Sequence, residues 1–382
     1  MRKTGLLIAT LCAFLLQGCL ATTKGGAPRE QALQWQIIEV PEPDMWIKRL
    51  AFSPDGEHFL VAHGYRYVDL YNLDSTERVW SFAEDKHTIL SAEFIDSETF
   101  IVGARYIAEM PDSSGRRNTV QRLSIRPVAT PDQEEVLEFP KGRDLPMTSN
   151  GDFIYYDNQL LDRRDGRIHR VITAHPGGPK GRLTGSGKVL TEADGEAVLY
   201  DYATQDYLHW CADCRFSLFT QAGGAYDITA SERFVITNSY RGNCYARTLP
   251  ALKSIGRCGF SLSFRTETPL VQPHPVADRV AVAWGQRLRV YDLDPFHLVF
   301  ETQLDGTVTG IALSADRQLA ASFPGGRILV WHLDDGRLLG YHDTHYNHPH
   351  GIPNDLMSFS PDGRKLLVTT GLDAPVLLDI PE

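Results

Sequence analysis

The chain has 382 residues, 42% hydrophobic, 10% aromatic and 23% charged, the balance of a globular protein and not of a disordered one. Its formal net charge is −10, with 38 Lys and Arg against 48 Asp and Glu, which argues against a phosphate-tracking nucleic-acid binder, since such a surface needs clustered cations. With 32 Gly and 22 Pro, the chain is punctuated like one of strands and turns, not of long helices.

Arg2 and Lys3 precede an apolar run from Leu6 to Leu16, which ends in Leu16-Gln17-Gly18-Cys19. A basic start, a short apolar core and small residues before a cut site make a secretory signal. The run is shorter than the roughly 20 residues that cross a bilayer; a buried helix or a retained anchor is the alternative for it. The last four residues resemble the lipobox of bacterial lipoproteins. That resemblance implies that residues 1–18 are removed and that Cys19 becomes a lipidated amino terminus, held by two or more acyl chains as stable anchoring requires. Leu20, standing where many inner-membrane lipoproteins carry Asp, implies the outer membrane, facing the periplasm. Loss of Arg2 and Lys3 takes the net charge from −10 to −12. Residues 19–33 then hold the lipidated cysteine and a flexible tether. The Thr-, Gly- and Ala-rich dozen from Ala21 to Ala32 has a reach on the order of 20 Å.

From residue 34 to 382 the chain repeats. Leu50-Ala-Phe-Ser-Pro-Asp-Gly56, Ile311-Ala-Leu-Ser-Ala-Asp-Arg317 and Met357-Ser-Phe-Ser-Pro-Asp-Gly363 align, and each is followed by a second apolar strand and a third. Weaker copies begin near Ser91, Pro146, Arg182, Tyr226 and Leu270. The seven intervals from Ala51 to Met357 average about 44 residues, the period of a four-stranded propeller blade. The unit resembles the WD-repeat family in its Ser-Pro-Asp-Gly turn and in the aromatic–acid pairs Tyr200-Asp201 and Tyr291-Asp292. Tyr71-Asn72 and Trp331-His332 depart from that family by lacking the acid. The fold implied is an all-β, eight-bladed propeller in one domain. Its last unit stops after three strands, and Trp35–Val40, unclaimed at the other end, supplies the fourth and closes the ring. A seven-bladed ring with one unit absorbed is the alternative.

Export places Cys211, Cys214, Cys244 and Cys258 in an oxidising compartment. Cys244 starts a third strand and Cys258 ends the fourth across a short turn at Pro250-Ala-Leu252, so the expected bridges are Cys244–Cys258 and Cys211–Cys214, with three connectivities formally open. A four-thiolate zinc site is the metal alternative. A thioredoxin-like role for Cys211 and Cys214 would need a helix N-terminus that the pattern lacks.

His342, His345 and His348 have a spacing that could hold zinc or copper; a solvated loop is the alternative. The WD-repeat resemblance gives His350 a structural role, hydrogen-bonded to Asp373. In a propeller the second-to-third-strand loops and the blade-to-blade links share one face. Tyr106–Thr119, with Arg116 and Arg117, is such a loop, and Arg215–Tyr226, Gly259–Thr268 and His342–Asn354 are links carrying Phe216, Phe219, Phe260, Phe264 and Tyr346. Aromatics with Arg are the composition of binding surfaces, although the Phe residues could equally pack between blades.

No serine elbow, phosphate loop or paired-carboxylate motif is present. The expectation is a non-catalytic scaffold, with no cofactor, that is monomeric and binds an envelope protein. The alternatives are an enzyme or ligand binder using the central channel, or a metal-binding lipoprotein using the His342–His350 loop.

Overall fold

The computed structural model describes residues 31–381 apart from 41–45, 84–87, 112–116, 141–147, 151, 157–158, 165–166, 171–181, 185, 194–195, 205, 212–225, 239–243, 259–268, 317, 345–355 and 370–373. The described residues form eight four-stranded antiparallel sheets and no α-helix. Sheet 1 is Ile47–Phe52, His58–His63, Tyr67–Asn72 and Arg78–Ala83; sheet 2 is Thr88–Phe94, Thr99–Pro111, Arg117–Pro127 and Glu135–Pro140. Sheets 3 to 7 open with Thr148–Asn150, Arg182–Leu183, Tyr226–Ile228, Leu270–Pro273 and Gly310–Leu313, in step with the sequence period. Sheet 8 has Met357–Phe359, Lys365–Val368 and Val376–Asp379, and its fourth strand is Trp35–Ile37 from the other end of the chain. Trp35 pairs with Leu378 and Ile37 with Val376.

The second strand Gln318–Ser322 is buried throughout, with Leu319, Ala320 and Ala321 as an unbroken apolar run, whereas the fourth strand Arg78–Ala83 is largely exposed. Where the third strand meets the fourth, the register shifts by one residue at Leu70/Tyr71, Leu199/Tyr200, Val290/Tyr291 and Val330/Trp331. A bulge re-aims a side chain. In these four sheets it lies at an aromatic near the end of the third strand, and all four aromatics are buried; in sheet 5 the shift lies at Ala246/Arg247. Tyr71 stacks on Phe59 with ring centroids 4.9 Å apart, and Tyr291 on Phe296 at 5.3 Å.

No sheet buries its faces alone. Leu60 and Val68 of sheet 1 pack with Phe100 and Val102 of sheet 2, Leu123 with Ile154 of sheet 3, and Phe153 with Val189 of sheet 4. The series runs on through Leu199 and Val235, Ile236 and Val280, and Leu288 and Leu319. The largest cluster joins Val330 of sheet 7, Leu367 of sheet 8 and Phe59 of sheet 1. Between sheets 1 and 2 the guanidinium of Arg126 lies over Phe82 at 4.6 Å and Trp80 at 5.1 Å, while Arg126 Nη1 donates to Pro131 O at 2.6 Å.

The folded unit begins at Gln31, earlier than the boundary at 34 expected from the sequence. Leu33 N donates to Tyr341 O at 2.8 Å, and Tyr341 N to Gln31 O at 3.0 Å. Gly340 makes room for this segment: a Cβ there would meet Leu33 Cδ2 at 2.5 Å. The expected Cys244–Cys258 disulfide is present, Cα to Cα 5.0 Å, and holds the end of the fourth strand of sheet 5 to the start of the third.

Candidate functional site: the link face

Antiparallel order puts the first-to-second and third-to-fourth turns at one end of every sheet, the turn face. The second-to-third turns and the sheet-to-sheet links lie at the other end, the link face.

On the turn face one device recurs in sheets 1, 4, 5 and 8. In Ser53-Pro54-Asp55-Gly56 the Ser53 hydroxyl donates to Asp55 Oδ1 at 2.6 Å and accepts from His58 N at 2.9 Å, and Gly56 takes the left-handed φ of 75° that closes the turn. Ser360 and Gly363 repeat it, with Lys365 N donating to Ser360 Oγ at 2.9 Å. Thr184 and Thr229 do the same work in sheets 4 and 5, accepting from Lys188 N and Phe234 N. The turns also touch each other. Ser186 N donates to Glu232 of the next sheet at 2.6 Å, Ser231 pairs with Asp278, Arg233 pairs with Asp278 and Asp294, and Arg279 binds Asp334 at 2.5 Å. These contacts tie the turns of sheets 4 to 7 to one another.

The link face is different. Between the second and third strands of sheet 1, Arg66 N donates to His63 O at 3.2 Å across Gly64 and Tyr65, whose φ angles are 59° and 62°. Two central residues with positive φ make a type I′ turn, which ordinarily takes Asn-Gly or Gly-Gly. An aromatic side chain there is uncommon and marks strain or a functional constraint. Tyr65 is 52% exposed, Lys48 Nζ stands 3.4 Å from its ring centroid, and Ile89 N of sheet 2 donates to its carbonyl at 2.6 Å. Gly64 N donates at 2.9 Å to the carbonyl of Trp46, itself 55% exposed. Two displayed aromatics thus stand where sheets 1 and 2 meet. Beneath them Arg49 and Glu93 pair at 3.5 Å between the two first strands.

Below the turn, His63 Nε2 and Asp69 Oδ2 lie 2.8 Å apart, both side chains fully buried, with the His63 ring stacked on Tyr67. An imidazole–carboxylate pair is the base-orienting unit of many enzymes, but a pair sealed from solvent reaches no substrate. Its role is to pin the turn above it. Burial, with the Asp69 charge second, pushes the Tyr71 phenol well above its usual range, so it stays a donor, to Glu39 O at 2.8 Å.

Sheet 2 carries the segment Tyr106–Thr119. It was expected as a loop; most of it is strand instead. Thr99–Pro111 and Arg117–Pro127 outrun their neighbours: pairing to the first strand stops at Arg105 and to the fourth at Val120, while Ile107 still faces Thr119. The hairpin therefore extends past the body of the sheet on the link face. Arg117 opens its third strand.

The other expected site residues fall as follows. His342 is not in a link but in the strand Leu338–Asp343, 7% exposed, its ring 5.7 Å from that of Trp35. Cys211 ends the fourth strand of sheet 4. Cys19, Arg116, Cys214, Phe216, Phe219, Phe260, Phe264, His345, Tyr346, His348, His350 and Asp373 lie outside the described residues. Among the described residues no three His, Cys, Asp or Glu side chains gather as a metal set. Trp46, Tyr65 and the His63–Asp69 pair escaped the sequence reading. The signal available was Gly64-Tyr65 between two apolar runs, a hairpin tip with an aromatic where Asn or Gly is usual.

Solved structures of the same architecture exist. Over 92% of this chain and 99% of theirs, the C-terminal WD40 domain of Sif2 superposes with a TM-score of 0.68 at 12% identity. The computationally designed Ika8 protein superposes over 91% of this chain and 100% of its own, with a TM-score of 0.64 at 13% identity. At such identities the likeness is one of fold, and the fold is that of a WD40-type β-propeller. No protein-family model and no curated protein sequence matches the chain.

Proposed function

We propose that this chain is an outer-membrane lipoprotein whose body is an eight-bladed propeller, closed by its N-terminal strand, that works as a non-catalytic scaffold for an envelope protein. Eight sheets packed in sequence, with sheet 8 against sheet 1 in one cluster, support the blade count. The lipobox-like Leu16–Cys19 supports the anchor, and Leu20 the outer membrane. A fold shared with a WD40 domain supports a role in binding proteins. The observation that carries the reading is Tyr65, an exposed aromatic held at positive φ on the link face beside Trp46. Displayed aromatics are the usual anchors of a protein interface. With the turns of sheets 4 to 7 engaged with one another through ion pairs and hydrogen bonds, the partner meets the link face.

Crosslinking on native membranes tests this, comparing wild type with Cys19→Ser and Tyr65→Ser. The expected result is a small set of envelope partners that Cys19→Ser loses through mislocalisation and Tyr65→Ser loses while still in the membrane. Correctly acylated wild type that captures nothing specific would overturn the scaffold and turn attention to a small ligand in the channel.

A further inference from the structure

The folded unit begins on the outer edge of sheets 7 and 8, and what stands there is apolar. All three residues of Trp35–Ile37 are exposed, unlike the third strand they pair with, where Leu377 and Leu378 are buried. Alternation along a strand puts Trp35 and Ile37 on one face and Gln36 on the other. Gln36 turns toward sheet 1, where its Nε2 donates to Thr76 Oγ1 at 2.8 Å. Trp35 and Ile37 turn the other way, 52% and 53% exposed. The described large apolar residues exposed on other fourth strands, Val79, Val136 and Leu298, each stand alone on their strands, and single exposed apolar residues need no explanation. A Trp and an Ile side by side do.

The chain length before this edge says what covers it. Gln31 and Leu33 are pinned to Tyr341, so the exit point is fixed four residues from Trp35. Eleven residues, 20–30, separate that point from Cys19, a span on the order of 20 Å for a flexible chain. We propose that Trp35 and Ile37 form a membrane seat: they enter the lipid headgroup region next to the anchor, where an indole partitions well. This rests on the lipoprotein reading above. It sets the propeller on its rim, with the link face turned sideways into the periplasm and open to partners.

Bromine on lipid acyl chains quenches tryptophan that lies in the membrane, and this provides the test. The protein purified from its own membranes is weighed for acyl groups on Cys19 and placed in bromolipid vesicles. The expected result is quenching that is mostly lost in Trp35→Phe, reduced in Ile37→Asn, and unchanged in Trp46→Phe, an equally exposed indole on the link face. Quenching that survives Trp35→Phe, or none in wild type, overturns the seat. A chain begun at Leu20 with a histidine tag, held on nickel-chelating bromolipid vesicles, gives the same readout without acylation. A Cys19 that weighs as unmodified therefore defeats the anchor alone. Thermal melts of each variant show that the propeller remains folded.

Discussion

Sheets 5 and 8 each fasten an outer strand, by opposite means. In sheet 5 a disulfide between Cys244 and Cys258, 14 positions apart, ties down a strand that already follows its neighbour through a short turn. In sheet 8 the outer strand comes from the far end of the chain and is held by three residue pairs, by Leu33 and Ile38 buried in the cluster joining sheets 7, 8 and 1, and by hydrogen bonds to Tyr341 and Pro375. The first device is covalent but local; the second is weak bond by bond, yet it closes the longest loop in the molecule. Loop closure grows only as the logarithm of length, so what sheet 8 risks is less the entropy of its own strand than the seam it covers. Without that strand the edge of Val376–Asp379 lies open, an invitation to pair with another chain.

The largest effect should come from removing the seam. A chain begun at residue 41 is expected to lose cooperative unfolding or to self-associate, read by size exclusion and calorimetry; a monomer melting like wild type would make the seam dispensable. Next is Ile38→Ala, which empties a fully buried site in the seam and should cost about 3 kcal/mol. Removing the disulfide with Cys244→Ala and Cys258→Ala opens a short loop in the unfolded chain and should cost about 2–3 kcal/mol in chemical denaturation, no more than Ile38→Ala alone. Gly340→Ala drives a methyl into Leu33 and Gln31, displacing the first folded residues without touching the strand itself, and should cost about 1–2 kcal/mol.

The smallest effect lies on the turn face. Ser53→Ala removes one turn's central hydroxyl, at about 1 kcal/mol, and has a pH signature. Burial raises the Asp55 pKa, but hydrogen bonds from Ser53 and from Glu57 N outweigh it and hold the carboxyl below its usual value. A depressed folded-state pKa gives stability that is complete above the unfolded value, near pH 4, and lost as pH falls through the folded one. The gap between wild type and Ser53→Ala should therefore narrow in acid, measured by melts from pH 7 down to pH 3.

The sequence reading succeeded where structure follows from short-range chemistry. All eight first strands lay where the period put them, and in sheets 1 and 8 Ser-Pro-Asp-Gly and the apolar run after it specify a turn and a buried strand locally. The disulfide was legible for the same reason, its two cysteines flanking one tight turn. Thr184 and Thr229 show the limit: a hydroxyl at the same position does the same work without the rest of the motif. His342 was misplaced because a histidine two residues past a buried glycine carries no signal that the strand continues. Trp46, Tyr65 and the His63–Asp69 pair were invisible because their roles depend on contacts across sheets and on a backbone angle, neither of which a run of residue types records.

The register of sheet 8 also says something about time. Trp35 is among the first folded residues to be made, and its partner Leu378 is among the last. At roughly 5–20 residues per second of synthesis, the strand waits on the order of twenty to seventy seconds for its place to exist. Throughout that interval Trp35, Gln36 and Ile37 lack the strand against which they pair. Whatever receives this chain as it emerges therefore handles a protein whose earliest residues are the last to be tucked in.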